Sequence, residues 1–304
     1  MRPSRAEASC RATAARPGKR LVWAGLLFLV AGCSRPPVIE EAALLSQKGQ
    51  DRPAIHLLEK DLAKHPASVP ARRLLIRLYA ETSDLSRAEQ EAAKLATYLP
   101  AGSPIPWVEM GHVLEIAHRY DEALSMYDRA AEVAPRDPLG PRSGGMRAAH
   151  WGEAELAASR LEEALRRNPH AADVWHVLGL VRLRLGDLDG AVVAYRSGLV
   201  ADPSALENRL GLATVALERG APADALSEYD VVVKARPAFG DGYLGRAWAL
   251  IVLGRFTEAT ASLEDARRHG ADARAVDRQT RLLTALSERA RRANEKAAEK
   301  GTNP

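Results

Sequence analysis

The chain has 304 residues, 27% of them charged and only 5% aromatic, with a formal net charge of +4. Its first 32 residues hold six bases (Arg2, Arg5, Arg11, Arg16, Lys19, Arg20) against one acid, Glu7. The remainder therefore carries 37 bases against 38 acids, which removes any global charge argument for nucleic-acid binding. Both cysteines, Cys10 and Cys33, also fall within the first 33 residues, so the rest of the chain has no disulfide framework.

The first element is an address. A basic stretch ending in Lys19 and Arg20 precedes the apolar run Leu21 to Val30 and then Ala31-Gly32-Cys33. Ten helical residues rise only about 15 Å, half of a ~30 Å hydrocarbon core, so the run reads as a signal peptide over 1–32 and not as a span. Val30-Ala31-Gly32-Cys33 resembles the bacterial lipobox. That resemblance implies that Cys33 becomes the lipid-modified mature N-terminus, followed by a short tether over 33–37. Ser34 in place of an aspartate then implies the periplasmic face of the outer membrane in a Gram-negative host. An unmodified secreted protein, or a plain membrane anchor, is the alternative.

From residue 38 the chain is periodic. Alanine recurs at Ala54, Ala88, Ala123, Ala157, Ala191, Ala225 and Ala259, spaced by 34 residues except for one interval of 35. Proline follows twelve residues later at Pro66, Pro100, Pro135, Pro169, Pro203 and Pro237. A period of about 34 with few β-branched runs predicts stacked helical hairpins, each too small to bury its own apolar face. The alanine marks close approach of two helices, a large residue four on shares its face (Leu58, Tyr127, Leu161, Tyr195, Tyr229, Leu263), and the proline ends the second helix.

The front half of each unit carries Trp107-x-x-Met110-Gly111-x-x-Leu114 or Trp175-x-x-Leu178-Gly179-x-x-Arg182. Together with the alanine and proline series this resembles the tetratricopeptide repeat (TPR) family. The resemblance implies an all-α, right-handed superhelical solenoid of about seven hairpins over 38–273. The units begin near residues 35, 69, 104, 138, 172, 206 and 240. The unit at 138–171 is degenerate, because Pro141-Arg142-Ser143-Gly144-Gly145 interrupts its first helix. Proline alone costs about 3 kcal/mol in a helix interior, so a late helix start near Gly145 and a soft joint are expected there. Val276, Leu282, Leu283 and Leu286 predict a capping helix within 274–304, with a frayed charged tail beyond about Asn294. The ten bases against five acids from Arg267 to Lys300 fit a solvated last helix, with a contact to an acidic partner or an anionic envelope polymer as the alternative.

The sequence contains no phosphate loop, no Gly-x-Ser-x-Gly, no His-Glu-x-x-His and no Cys-x-x-Cys, so no catalytic residue, metal or cofactor is assigned. His112/His118 and His170/His176 are each six apart, which places the members of a pair on different helical faces. Among possible acid–base groups only His112, Glu115, Arg142 and His150 stand out, scattered along the sequence. In the TPR family repeat positions two, five, nine and twelve of the first helix line a concave groove. Here the early units place Arg73, Arg77, His112, Glu115 and Arg142 at such positions. The fifth to seventh units place His176, Leu180, Leu183, Leu210, Thr214, Leu217, Leu244, Trp248 and Ile251 there.

That apolar stripe suggests an anchor site for a partner's hydrophobic face. A repeat lipoprotein of this layout resembles those serving type IV pilus or secretion assembly, outer-membrane protein insertion or control of peptidoglycan enzymes. The resemblance implies a non-catalytic scaffold for an envelope protein or peptide, with pilus or secretion machinery favoured. Two other arrangements stay open. The C-terminal helix could cover part of the stripe, or the groove could carry a hydrophobic small ligand or lipid.

Overall fold

The computed structural model describes residues 37–301; the leader, Cys33 and most of its tether lie outside them. Among the described residues every regular element is helical, in seven hairpins and a final helix. The hairpins are α1 (Val38–Gln47) with α2 (Asp51–Lys64), α3 (Val69–Glu81) with α4 (Leu85–Leu95), α5 (Ile105–Ile116) with α6 (Tyr120–Val133), and α7 (Leu139–Trp151) with α8 (Ala154–Arg167). They continue with α9 (Ala172–Arg184) and α10 (Leu188–Ala201), α11 (Leu206–Glu218) and α12 (Pro222–Ala235), and α13 (Gly240–Val252) and α14 (Phe256–Arg268). The last helix is α15 (Ala273–Gly301).

The alanine series lies where the period places it, since all seven alanines have no exposed surface. The large residues four positions on fill the space between hairpins: Leu58, Leu161 and Tyr195 are wholly buried, and Tyr127 is 1% exposed. Tyr195 is wedged between Gly179 of its own unit and Gly211 of the next; a methyl group on either glycine would overlap its ring. Each second helix ends shortly before its proline. Where the last unit has Ala271 instead, Gly270 adopts φ +78° and turns the chain.

The turn inside each hairpin has its own period. Gly49, Gly152, Gly186, Gly220 and Gly254 all have positive φ at the same repeat position, and Ser83 (φ 65°) and His118 (φ 59°) take the left-handed conformation at that position in units two and three. Glycine does so without steric cost, whereas a residue with a Cβ loses roughly 1–2 kcal/mol there.

The fourth unit departs from the expected late start. Helix α7 begins at Leu139, whose N–H donates to Asp137 Oδ1 at 2.8 Å, and its first helical bond runs from Arg142 N–H to the Pro138 carbonyl at 2.9 Å. Pro141 thus sits in the first turn, where its missing N–H had no helical partner to lose. The glycines permit contact, not softness. A methyl on Gly140 would lie 2.5 Å from the Ala131 backbone nitrogen, and one on Gly145 would lie 2.8 Å from Leu161 Cγ. The damaged unit is a closely docked one.

Helix α15 packs on α14 and α13 as the first helix of an eighth unit would, burying Val276 and Leu283. It runs on to Gly301, past the point where fraying was expected. Pairs such as Arg291–Glu295 (3.5 Å) and Arg292–Glu288 (3.6 Å), one turn apart, line its exposed part.

Docking at Gly140 reverses the usual sign of a helix substitution. Gly140→Ala raises helix propensity by about 1 kcal/mol, yet its methyl meets immovable backbone, so a net loss of about 1–3 kcal/mol is expected in thermal or urea unfolding followed by circular dichroism. Gly144→Ala, which chiefly meets the movable end of Arg160, should cost less.

Candidate interaction groove

Positions two, five, nine and twelve of a first helix fall within one quadrant at 100° per residue. Successive first helices touch along most of the array, aligning these positions into rows. In units five to seven the rows are apolar at the floor. Leu180 is 44% exposed and Trp248 36%, while His176, Leu183, Leu210, Thr214, Leu217 and Leu244 are half-buried. Ile251 departs from the expected groove set: at 3% exposed it is buried in the C-terminal core with Leu250, Val276 and Leu283, because α15 packs over it. In exchange α15 contributes Leu282, 37% exposed and at the same repeat position as Trp248. The last helix therefore prolongs the ninth-position row.

The floor is less polar than its residue types suggest. Thr214 Oγ1 donates to the Leu210 carbonyl at 2.9 Å, so its hydroxyl is occupied within its own helix. Burial holds the His176 imidazole below its ordinary range, against a smaller opposing pull from Glu207, and keeps it neutral at pH 7. Its ring lies 5.9 Å from that of Tyr195, whose phenol burial pushes up to about 12. The rim differs. At position two stand the exposed acids Asp173, Glu207 and Asp241.

Units two to four form a different surface. Glu109 on α5 is wholly buried and is held by Arg73 Nε at 2.6 Å, with Arg77 Nε and His112 Nδ1 each 3.8 Å from its other oxygen. Burial pushes its carboxyl up, but His112 and Arg73 together outweigh that and hold it below the ordinary carboxylate range. Glu115 accepts from Arg147 Nε at 3.0 Å and from the Tyr127 hydroxyl at 3.4 Å. Beside them lies a cleft of about 500 Å³ lined by Arg77, Glu115, His112, His118, His150 and Trp151, among others.

The cleft thus gathers three of the four scattered ionisable candidates, His112, Glu115 and His150. The fourth, Arg142, pairs with Asp173 on α9. His112 and His118 share the cleft, contrary to the helical projection, because α5 stops at Ile116 and His118 lies in the turn. Among the described residues no group of three side chains could hold a metal ion.

A separate apolar cavity of about 430 Å³ lies under the loop between α4 and α5. Its walls include Leu99, Trp107, Met110 and Met126, and the loop over it lies within the 35-residue interval between Ala88 and Ala123.

Residues 151–205 and 210–275 match the family model described as Tetratricopeptide repeat. The chain has the TPR fold. Among solved structures it is similar to the C-terminal part of a TPR repeat-containing protein from Cytophaga hutchinsonii, with a TM-score of 0.58 and 16% identity over 79% of this chain and 98% of that one. It is also similar to YrrB, described as a TPR protein with an unusual peptide-binding site, with a TM-score of 0.51 and 19% identity over 59% of this chain and 93% of that one. At these identities the likeness is one of fold.

Two curated relatives match part of the chain. The co-chaperone sgt12 of Aspergillus fumigatus is 26% identical over 170 residues, covering 55% of this chain and 46% of that protein. The cytochrome c-type biogenesis protein CycH of Bradyrhizobium diazoefficiens is 28% identical over 177 residues, covering 57% and 46%. The chain thus spans about half the length of these relatives.

Sequence reasoning missed Glu109 within the TPR array. The repeat position alone did not mark it: four other units place Leu74, Val177, Gly211 or Gly245 there, but the first places the exposed Glu40 and the fourth Ser143. Because its folded-state value is depressed, the stability it contributes is present above the unfolded value of about 4.3 and lost as pH falls through the lower folded one. Glu109→Gln should therefore be less stable than the parent at pH 7, with the gap in urea midpoint closing as pH falls below about 4. A gap independent of pH would show that the carboxylate charge is not what Arg73 and His112 stabilise.

Proposed function

We propose that this protein is a non-catalytic interaction scaffold whose concave groove in units five to seven holds an apolar segment of a partner protein. The observation that carries this is the row Leu180, Thr214, Trp248 and Leu282, with large side chains left exposed on the inner face of a TPR array. Three of the four are large apolar groups more than a third exposed at matching positions of different units. Burying such a row against a partner is favourable at about 25 cal/mol per Å² of apolar surface. TPR arrays are protein-interaction modules, and the coarse assignment to protein binding follows from the fold.

The finer reading is an envelope assembly factor, lipid-anchored through Cys33 at the periplasmic face of the outer membrane and serving a pilus or secretion machinery. The basic stretch, the apolar run and Val30-Ala31-Gly32-Cys33 support the anchor. Similarity to CycH, a biogenesis protein by name, is in keeping with an assembly role. No described helix is long and apolar enough to cross a membrane.

Two measurements test these statements separately. Replacing Trp248 and Leu217 together by serine should lower partner recovery after cross-linking in intact cells by at least about tenfold, as expected for an anchor residue, while far-UV circular dichroism stays unchanged. Unaltered recovery would discard the groove. Cys33→Ser should move the protein from the membrane to the soluble fraction; if it remains membrane-bound, the lipid anchor is wrong.

A further inference from the structure

The groove of units five to seven has a regular chemistry across its width as well as along its length. The outermost row, position two, is acidic in all three units: Asp173, Glu207 and Asp241. Within units five to seven the next three rows are apolar or nearly so: His176, Leu210 and Leu244; then Leu180, Thr214 and Trp248; then Leu183 and Leu217; α15 continues them with the exposed Arg278, Leu282 and Ala285 in turn. Acids in the first turn of a helix are favoured by the helix dipole, which accounts for their presence but not for their remaining open to solvent. Asp173 is 56% exposed and shares Arg142; Glu207 is 52% exposed and lies 3.5 Å from Arg236. Asp241 is exposed and has no ion-pair partner among the described residues. Exposed pairs of this kind contribute roughly 0–1 kcal/mol, so an incoming cation can displace them.

The width of the apolar floor selects the shape of the occupant. An extended strand turns alternate side chains to one face and a polyproline II segment one residue in three, each enough for a single row. Three adjacent apolar rows call for a wide apolar stripe, which an amphipathic helix provides. The protein's own α15 does not fill this role, since it stacks on α13 and α14 and extends the row with Leu282.

Resting on the groove reading above, we propose that the occupant is one amphipathic helix of a partner protein, with apolar residues at heptad spacing and lysine or arginine along the flank that faces Asp173, Glu207 and Asp241. The apolar stripe seats against Trp248 and its row, and the basic flank fixes which way round the helix lies. Charge here acts on orientation and selection more than on total affinity.

Fluorescence anisotropy with the full chain tests this. The probes are labelled synthetic helices of about 21 residues, long enough to cross three units. They carry leucines at heptad spacing and either lysine or glutamate on the flank, beside a polyproline-based peptide with leucine at every third position and a scrambled control. The lysine-flanked helix should bind at least about tenfold more tightly than the glutamate-flanked one. Asp241→Lys should remove most of that preference, and Asp241→Asn part of it, with circular dichroism confirming that both variants stay folded. Trp248→Ser should weaken both helices.

Equal binding of the two flanks, or tighter binding of the polyproline peptide, overturns the proposal and leaves the groove reading standing. Absence of all peptide binding, while Trp248→Ser with Leu217→Ser still loses its cross-linked partners, does the same. If the peptides fail and the cross-linked partners are also unaffected, the groove reading falls as well.

Discussion

Everything in this molecule depends on the contact between a small residue and a large one across two helices of a hairpin. A pair of helices 13 and 14 residues long cannot enclose an apolar core, so each hairpin must share its faces with its neighbours. The wholly buried alanines let the helices approach, and Tyr127, Leu161, Tyr195 or Leu263 then fills the gap to the next unit. Because the contact recurs in six of the seven units, Ala92 standing in for the large residue in the second, stability is a sum of neighbouring interfaces and no single core dominates. Gly179 and Gly211 on either side of Tyr195 show how little room is left: the ring occupies the volume that a Cβ would need on both.

That same packing fixes which surface is free. With the second helices holding the hairpins together, the outward faces of the first helices are left in register along the concave side. The chain treats the two halves of this surface differently. In units two to four charges face one another, with Arg73 hydrogen-bonded to the buried Glu109, Arg77 and His112 3.8 Å from its other oxygen, and Arg147 paired with Glu115. From unit five onward the floor turns apolar, and Thr214 turns its hydroxyl back on its own helix. A surface whose charges are already paired with one another gains little by binding, whereas exposed leucine and tryptophan gain by leaving water.

The places where the structure departs from the sequence pattern have separate physical causes. Pro141 is disruptive in a helix interior but not in a first turn, and which of these it occupies depends on α7 beginning at Leu139, whose N–H is held by Asp137. His112 and His118 are on different faces only if the helix continues between them, and it ends first. Ile251 and Leu282 exchanged roles because α15 docks as an eighth first helix, burying one side chain and presenting the other. The left-handed turn position was legible in the glycine period, and His118 and Ser83 hid it in two units.

By itself the sequence determined the number of hairpins, their boundaries to within a few residues, and the inward face of each second helix. Those properties come from local periodicity: alanine, an aromatic or leucine four later, and proline recur at fixed intervals, and helical geometry converts the intervals into faces. Only the tertiary structure decided how the fourth unit docks, that Glu109 is buried with its cations, that three histidines line one cleft, and that the last helix lengthens the groove. Each of these depends on how close neighbouring backbones come and on what an adjoining helix covers, and residues far apart in the chain settle both.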